Sequence, residues 1–307
     1  MTTRIVIAAL LAAVFLAPFA LAEDEDMSSG ERLKIATTTS LYDTRLLDVL
    51  ETMFENEHSV SLDIIAKGTG IAIEYGERGD VDLLMVHDKE REIKFVDEGH
   101  GLERRCFAYN YFWLVGPADD PAAVAGKNAS MALKAIMEMG MEDPSVSFVS
   151  RGDNSGTHAR EKLLWKNAGL DYETVRTSGP WYAEAGLGMG ETLNMANEKD
   201  AYTLCDMSTF KAFQGNLTIV PLIEGSDDLI NVYVAMAIDP ATHPNVNCQM
   251  ANEFINFLVS DEAQDVIATY GTETIGQPLF FPARGNCELI GCSETECAAP
   301  TTAPCTA

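Results

Sequence analysis

Apolar residues recur along this chain in short runs that end in hydroxyl or glycine clusters, and each cluster is followed by a helical repeat. Leu33, Ile35 and Ala36 lead into Thr37-Thr38-Thr39-Ser40, after which Leu46, Leu47, Leu50, Met53 and Phe54 share one helical face that ends near His58. Thr39 or Ser40 is the expected cap of that helix. A strand over 60–66 runs into Gly68-Thr69-Gly70 and a helix over 71–76, and a buried strand over 81–86 is continued by His87-Asp88, where a lone histidine reads as structural. The β–α alternation predicts a mainly parallel sheet whose loops, at the carboxyl ends of the strands, form a crevice.

The densest chemistry lies in Ser150-Arg151-Gly152-Asp153-Asn154-Ser155-Gly156-Thr157-His158, which reads as a strand end, a turn and the opening of a helix at Asn154 or Ser155. A helix start carries unpaired N–H groups and the positive end of the dipole, so it can hold an anion. Ser155 and Thr157 add hydroxyl donors, Gly156 lets a ligand approach the backbone, and Arg151 offers a planar fork of charged donors. Asp153 is expected to fix that guanidinium by a short-range pair. The bland alternative is an ordinary helix cap.

Farther along, an aromatic strand over 107–116 ends in Gly116-Pro117 and a new βα series begins: helix 129–139, strand 147–149, the helix after Ser155, a Gly-rich loop over 181–190, helix 191–198 and strand 201–204. Ile219 and Val220 start another strand, 231–238 is a long apolar one, helices follow over 247–258 and 261–270, and the chain exits at Leu279-Phe280-Phe281-Pro282. The order is one α/β lobe (32–115 and 226–282) and a second (116–225), with crossings near 111–117 and 224–231 acting as a hinge. Residues 283–307 form a Cys-, Thr- and Pro-rich tail, expected to be mobile unless its cysteines pair.

Residues 1–22 carry Arg4, an apolar run and Ala20-Leu21-Ala22 ahead of Glu23, the pattern of a secretory signal peptide; an uncleaved membrane anchor is the alternative. No cysteine follows that segment closely, which gives no support for a lipid anchor there. The chain has 307 residues, 47% of them apolar, and a net charge of −26, so nucleic acid and anionic membrane are poor partners. An anionic ligand would then rest on local donors, since distant charges are screened beyond about 10 Å at moderate salt. Such an acidic balance suits a saline habitat. Of seven cysteines, Cys287, Cys292, Cys297 and Cys305 lie near the end and are candidates for disulfides, while Cys106, Cys205 and Cys248 read as buried thiols. No catalytic residue and no ligand set for a metal cation is expected. Asn128-Ala129-Ser130 and Asn216-Leu217-Thr218 are glycosylation sequons.

Thr37-Thr38-Thr39-Ser40, Gly68-Thr69-Gly70, the 150–158 motif, Trp181-Tyr182-Ala183-Glu184 with Gly188-Met189-Gly190, and Ala201-Tyr202-Thr203-Leu204 together resemble the substrate-binding proteins of tungstate ABC transporters, in order and from about Leu33 to Pro282. The Arg151, Ser155, Gly156 and Thr157 pattern is also similar to phosphate- and molybdate-binding proteins. The resemblance implies a two-lobed α/β fold of the periplasmic-binding-protein type II class, with a hinge and an interlobe cleft. It implies an extracytoplasmic monomer without cofactor that holds tungstate, with molybdate as the close competitor, and delivers it to an ABC permease and its ATPase. Tungsten would be present only as the bound oxyanion. The ligand contacts it implies are Thr39, Ser40, Thr69, Gly70, Arg151, Ser155, Gly156 and Thr157. One departure is Cys205-Asp206-Met207, where the family pattern is Thr-Asp-Arg, which removes a cation from that part of the site. The cysteine tail has no counterpart in the pattern.

Three other readings remain open at this level. The ligand is molybdate, sulfate or phosphate; the protein is an exported serine hydrolase using Ser155 with His158; or it is a sensor that binds the ligand without transport.

Overall fold

The computed structural model describes residues 31–297 and 300–306; the signal-peptide expectation lies outside these residues. The strands are β1 (Glu31–Thr38), β2 (Val60–Lys67), β3 (Leu83–Val86), β4 (Arg105–Gly116), β5 (Phe148–Ser150), β6 (Tyr182–Glu184), β7 (Thr203–Asp206), β8 (Val220–Ile223), β9 (Ile230–Ala237) and β10 (Phe281–Pro282). Among them run the helices α1 (Thr39–Asp43), α2 (Leu46–Glu57), α3 (Thr69–Glu77), α4 (Lys89–Asp97), α5 (Ala129–Glu142), α6 (Gly156–Asn167) and α7 (Tyr172–Arg176). They are followed by α8 (Met189–Glu198), α9 (Met207–Phe213), α10 (Cys248–Leu258), α11 (Asp261–Thr269), α12 (Thr272–Ile275) and α13 (Glu294–Cys297).

The strands pair in the order β10-β4-β9-β3-β1-β2, with β7 and β8 also on β4. The expectation of a mainly parallel sheet needs correction. β1 pairs in parallel with β2 and β3, and β5 with β6, but β9 is antiparallel to β3, and β4 is antiparallel to β7, β8, β9 and β10. The reason is β4 itself, a 12-residue strand whose residues 105–111 pair with β9 while residues 112–116 pair with β7 and β8. One strand therefore belongs to two packing groups, and chains returning to it run against it.

Period-2 alternation sends side chains of the same strands to two cores. Leu83 and Met85 of β3 with Tyr233 and Ala235 of β9 join Phe54, Phe107 and Phe254 on one face; Leu84, Val86, Val234 and Met236 join Ala36, Phe95 and Ile290 on the other. Beyond Tyr111 the same rule holds in the second group, where Phe112 and Leu114 pack with Trp165 and Trp181 while Trp113 and Val115 pack with Leu193 and Phe210. Sheets covered on both faces explain why these strands read as continuous apolar runs.

Cys106 and Cys248 are not thiols, contrary to the sequence reading: the disulfides are Cys106–Cys292, Cys248–Cys305 and Cys287–Cys297, and only Cys205 among the described residues is free and buried. An apolar neighbourhood suits a half-cystine as well as a thiol, so sequence context could not separate them. The tail is accordingly packed. Ala283, Cys287, Ile290, Cys292 and Cys297 are buried in the core that also holds Phe95 and Val234. Arg104 ties it down by pairing with Glu92 at 2.8 Å and with Glu296 of the tail. Burial raises the Glu92 carboxyl to about 7, against the opposing pull of Arg104. No helix of the described residues is long and apolar enough to cross a membrane.

Candidate functional site

Four strand-to-helix loops, from both packing groups, come together. In the first, the cap is Thr38, whose side chain accepts from the Leu41 N–H, and not Thr39 or Ser40. The chain breaks at Arg45 (φ 63°), so the cluster opens the five-residue α1 and the apolar helix α2 starts separately. Ser40 is thereby freed to face His87: its Oγ lies 3.2 Å from His87 Nε2 and 3.2 Å from Thr38 Oγ1. Thr39 is half-buried beside it. In the second loop Gly68 caps α3 without a side-chain bond, Thr69 is buried, and a Cβ on Gly70 would stand 3.5 Å from Arg91 Nη1. That Nη1 donates to the carbonyl of Asn154 at 3.0 Å, linking the third loop, β3–α4, to the fourth, β5–α6.

The fourth loop starts α6 at Gly156, with Ser155 as cap accepting from the His158 N–H. Gly152 (φ 62°) lies against Glu184, where a Cβ would come within 2.6 Å of the Glu184 Cβ, so glycine is required at this turn. Asp153 does fix Arg151: Oδ2 accepts from Nη2 at 2.6 Å, and Oδ1 accepts from the Ser155 N–H at 3.1 Å. Arg151 is 3% exposed, and burial draws its pKa down against the opposing charges of Asp153, Glu191 and Asp206. Ser150, next to it, donates to Glu161, which also accepts from Trp165 and Tyr182; burial raises the Glu161 carboxyl to about 6 despite these three donors. The arginine thus rises from a rigid base.

Ser155 and His158 do not form a nucleophile–base pair. His158 Nδ1 accepts from the Asn154 N–H at 3.0 Å, which assigns the proton to Nε2, 2.6 Å from Tyr172 Oη, whose hydroxyl donates in turn to Glu184. Burial lowers the ring's pKa to about 4. Both nitrogens are used in holding the turn, and neither reaches the serine hydroxyl.

Thr69 Oγ1, Arg151 Nε, Thr157 Oγ1 and Thr209 Oγ1 are buried without a hydrogen-bond partner. Thr69, Thr157 and Thr209 lie in the first turns of α3, α6 and α9, and Arg151 stands directly after β5 in the loop that leads to α6. A buried donor left unpaired costs about 1–3 kcal/mol; Arg105 Nε in β4 is left in the same way, so what sets these four apart is their place at the strand-to-helix loops.

Of the residues that join the loops, sequence reasoning named His87, as structural, and passed over Asn110 and Asn231. His87 is a wedge: its Nδ1 lies 2.8 Å from Asn231 Oδ1, and a Cβ placed on Gly156 would stand 2.4 Å from its Cε1. Asn231, in β9, donates to Asn110 of β4 and to Asp206, and Asp206 Oδ2 also accepts from Asn110 and Tyr233. The other oxygen of Asp206 caps α9 through Ser208 and Thr209. A signal existed in the asparagines, polar residues inside apolar strands, but their common partner lies 96 positions from Asn110. Met207, where the family pattern has a cation, is buried in the core with Trp113 and Phe210.

Gly156→Ala should weaken ligand binding about tenfold or more, because a methyl group there meets a ring pinned on both nitrogens and overpacking of this kind costs about 1–3 kcal/mol. Titration calorimetry checks it; affinity equal to wild type would show that the His87–Gly156 contact plays no part in the bound form.

Known proteins resemble this chain in sequence and fold. The family described as PBP superfamily domain matches residues 24–262. The tungstate-binding protein TupA of Peptoclostridium acidaminophilum is 37% identical over 260 residues, 85% of this chain and 88% of that protein. Among solved structures, the tungstate ABC transporter from Geobacter sulfurreducens is 44% identical with a TM-score of 0.69, covering 78% of this chain and 99% of that one. The tungstate binding protein TupA from Desulfovibrio alaskensis G20 is 39% identical with a TM-score of 0.69, covering 82% and 98%. The relatives are binding proteins of transport systems, and the two-lobed type II architecture expected from the sequence is the one this chain shares with them. The chain belongs to the PBP superfamily, in the family of the tungstate-binding protein TupA.

Proposed function

We propose that this chain is an extracytoplasmic solute-binding protein that closes on tungstate and presents it, as a monomer, to an ABC permease driven by its ATPase. The observation that carries this reading is the set of buried, unpartnered donors on loops of both packing groups, Thr69, Arg151 and Thr157 foremost. Thr39, Ser40 and Gly70 complete the donor set from the first lobe (32–115 with 226–282), and Ser155 and Gly156 from the second (116–225), with Thr209 added by its unpartnered hydroxyl. A ligand gripped from both sides favours the closed form, which is the state a permease would recognise. Binding needs no catalytic group. The protein is exported, with residues 1–22 as signal peptide or retained anchor.

Anion chemistry narrows the class. A protonated phosphate requires an acceptor: both oxygens of Asp153 are engaged, by Arg151 and by the Ser155 N–H, and Asp88 Oδ2, buried without a hydrogen bond, is paired with the Arg91 guanidinium at 3.3 Å. A fully deprotonated tetrahedral dianion requires donors alone. Calorimetric titration of residues 23–307 with tungstate, molybdate, sulfate and phosphate should show tight tungstate binding, with phosphate far weaker. Binding of none of the four would sink the oxyanion reading, and a sulfate preference would move the protein to a different substrate.

A further inference from the structure

A chain of net charge −26 that captures a dianion has an association problem, since the long-range field repels the ligand. The cleft rim answers it unevenly. Arg91 straps the two sides together through its bond to the Asn154 carbonyl and separates two surface pockets. The pocket on one side, about 370 Å³ between α4 and α6, is lined by Lys89, Arg91, Lys94, Arg160, Lys162 and Lys166 against two carboxylates, Asp88 and Glu90. The pocket on the other side, about 400 Å³, is lined by Glu74, Glu77 and Glu98 against Arg91 and Lys94.

The basic charges are available. Arg91 pairs with Asp88 at 3.3 Å and Lys94 with Glu98 at 3.7 Å, but Lys89, Arg160, Lys162 and Lys166 form no ion pair among the described residues. Their bonds go to neutral oxygens: Lys89 to the Gly291 carbonyl, Arg160 to the carbonyls of Asp228 and Ile230, Lys162 to the Asn154 side chain. Lys89, Arg160 and Lys162 are therefore held in place without being neutralised, and Lys166 lines the pocket with no bond among the described residues. The lining of the same pocket also includes His87 and Gly156, the contact at which the two sides of the oxyanion site meet.

We infer that this basic pocket is an outer capture site for tetrahedral oxyanions, through which the dianion reaches the inner site, while the acidic pocket beyond Arg91 closes off the other approach. The inference rests on the oxyanion reading and adds its route of access. Charges opposite in sign to the ligand, focused in a concave rim, raise association rates about 10- to 1,000-fold, and the gain falls with ionic strength.

The test is stopped-flow association of tungstate with the full exported chain between about 0.1 M and 1 M ionic strength, a range over which the screening length falls from about 10 to about 3 Å. Lys89→Gln with Lys166→Gln is compared with Lys127→Gln with Lys199→Gln, which makes the same change in net charge away from the pocket. The first pair should slow association about three- to tenfold at the lower salt and flatten its salt dependence, with the second close to wild type. Equal slowing by both pairs would mean that only global charge matters, and wild-type rates in the first pair would mean that the ligand arrives by another route; either overturns the capture site while leaving the inner site standing. A wild-type chain that binds no tungstate overturns both.

Discussion

Arg151→Ala should weaken tungstate binding about 100- to 1,000-fold, the range expected when one member of a buried, hydrogen-bonded charge pair is truncated. Two effects add. On the proposed site the ligand loses a charge-assisted donor whose Nε has no hydrogen-bond partner in the structure, and Asp153 is left as a carboxylate without its Arg151 partner. Arg151→Lys should recover only part of the loss, since a point charge cannot reach both the carboxylate and the ligand as the planar fork does. The two effects separate in a double-mutant cycle: Arg151→Ala with Asp153→Ala should bind better than Arg151→Ala alone. Calorimetry supplies the affinities. An Arg151→Ala protein within threefold of wild type would displace the site from this loop.

Truncation after Pro282 should lower the thermal midpoint by about 10–20 °C, from a loss of about 5 kcal/mol at about 2–4 °C per kcal/mol for a domain of this size. The sequence alone allows the tail to be an appendage. In the structure it carries one half of the Cys106–Cys292 and Cys248–Cys305 disulfides and the whole of Cys287–Cys297, and it buries Ile290 against the core of β3 and β9. Its removal also uncovers the buried pair of Glu92 with Arg104, which Glu296 now closes. Differential scanning calorimetry on the intact and truncated chains measures the difference. A midpoint within a few degrees of the intact chain would show that the tail adds little. Ligand binding by a truncated chain that still folds separates stability from the site, because no hydrogen bond or ion pair among the described residues joins the tail to the Arg151 loop, and the bond of Lys89 to the Gly291 carbonyl bears on the outer pocket alone.

The sequence by itself determined what depends on neighbours along the chain. Much of the β–α order (though not α4, α7, α9 or β6, which the sequence reading left out), the helix opening at Ser155, the pairing of Arg151 with Asp153 and the run of hydroxyl-bearing loops follow from periodicity, capping and turn chemistry over fewer than ten residues. The family was legible too, because several such loops occur in a fixed order. Tertiary structure decided what depends on residues far apart. It broke the first hydroxyl cluster away from α2, turned the sheet mixed around β4, and paired Cys106 and Cys248 with tail cysteines 186 and 57 positions away. It set His87 between Ser40, Asn231 and Gly156, and gathered charges from α4 and α6 into one rim. None of these has a local signature. A histidine after a strand or a cysteine among apolar residues is compatible with several fates, and only packing, by fixing which distant group stands within bonding distance, selects one.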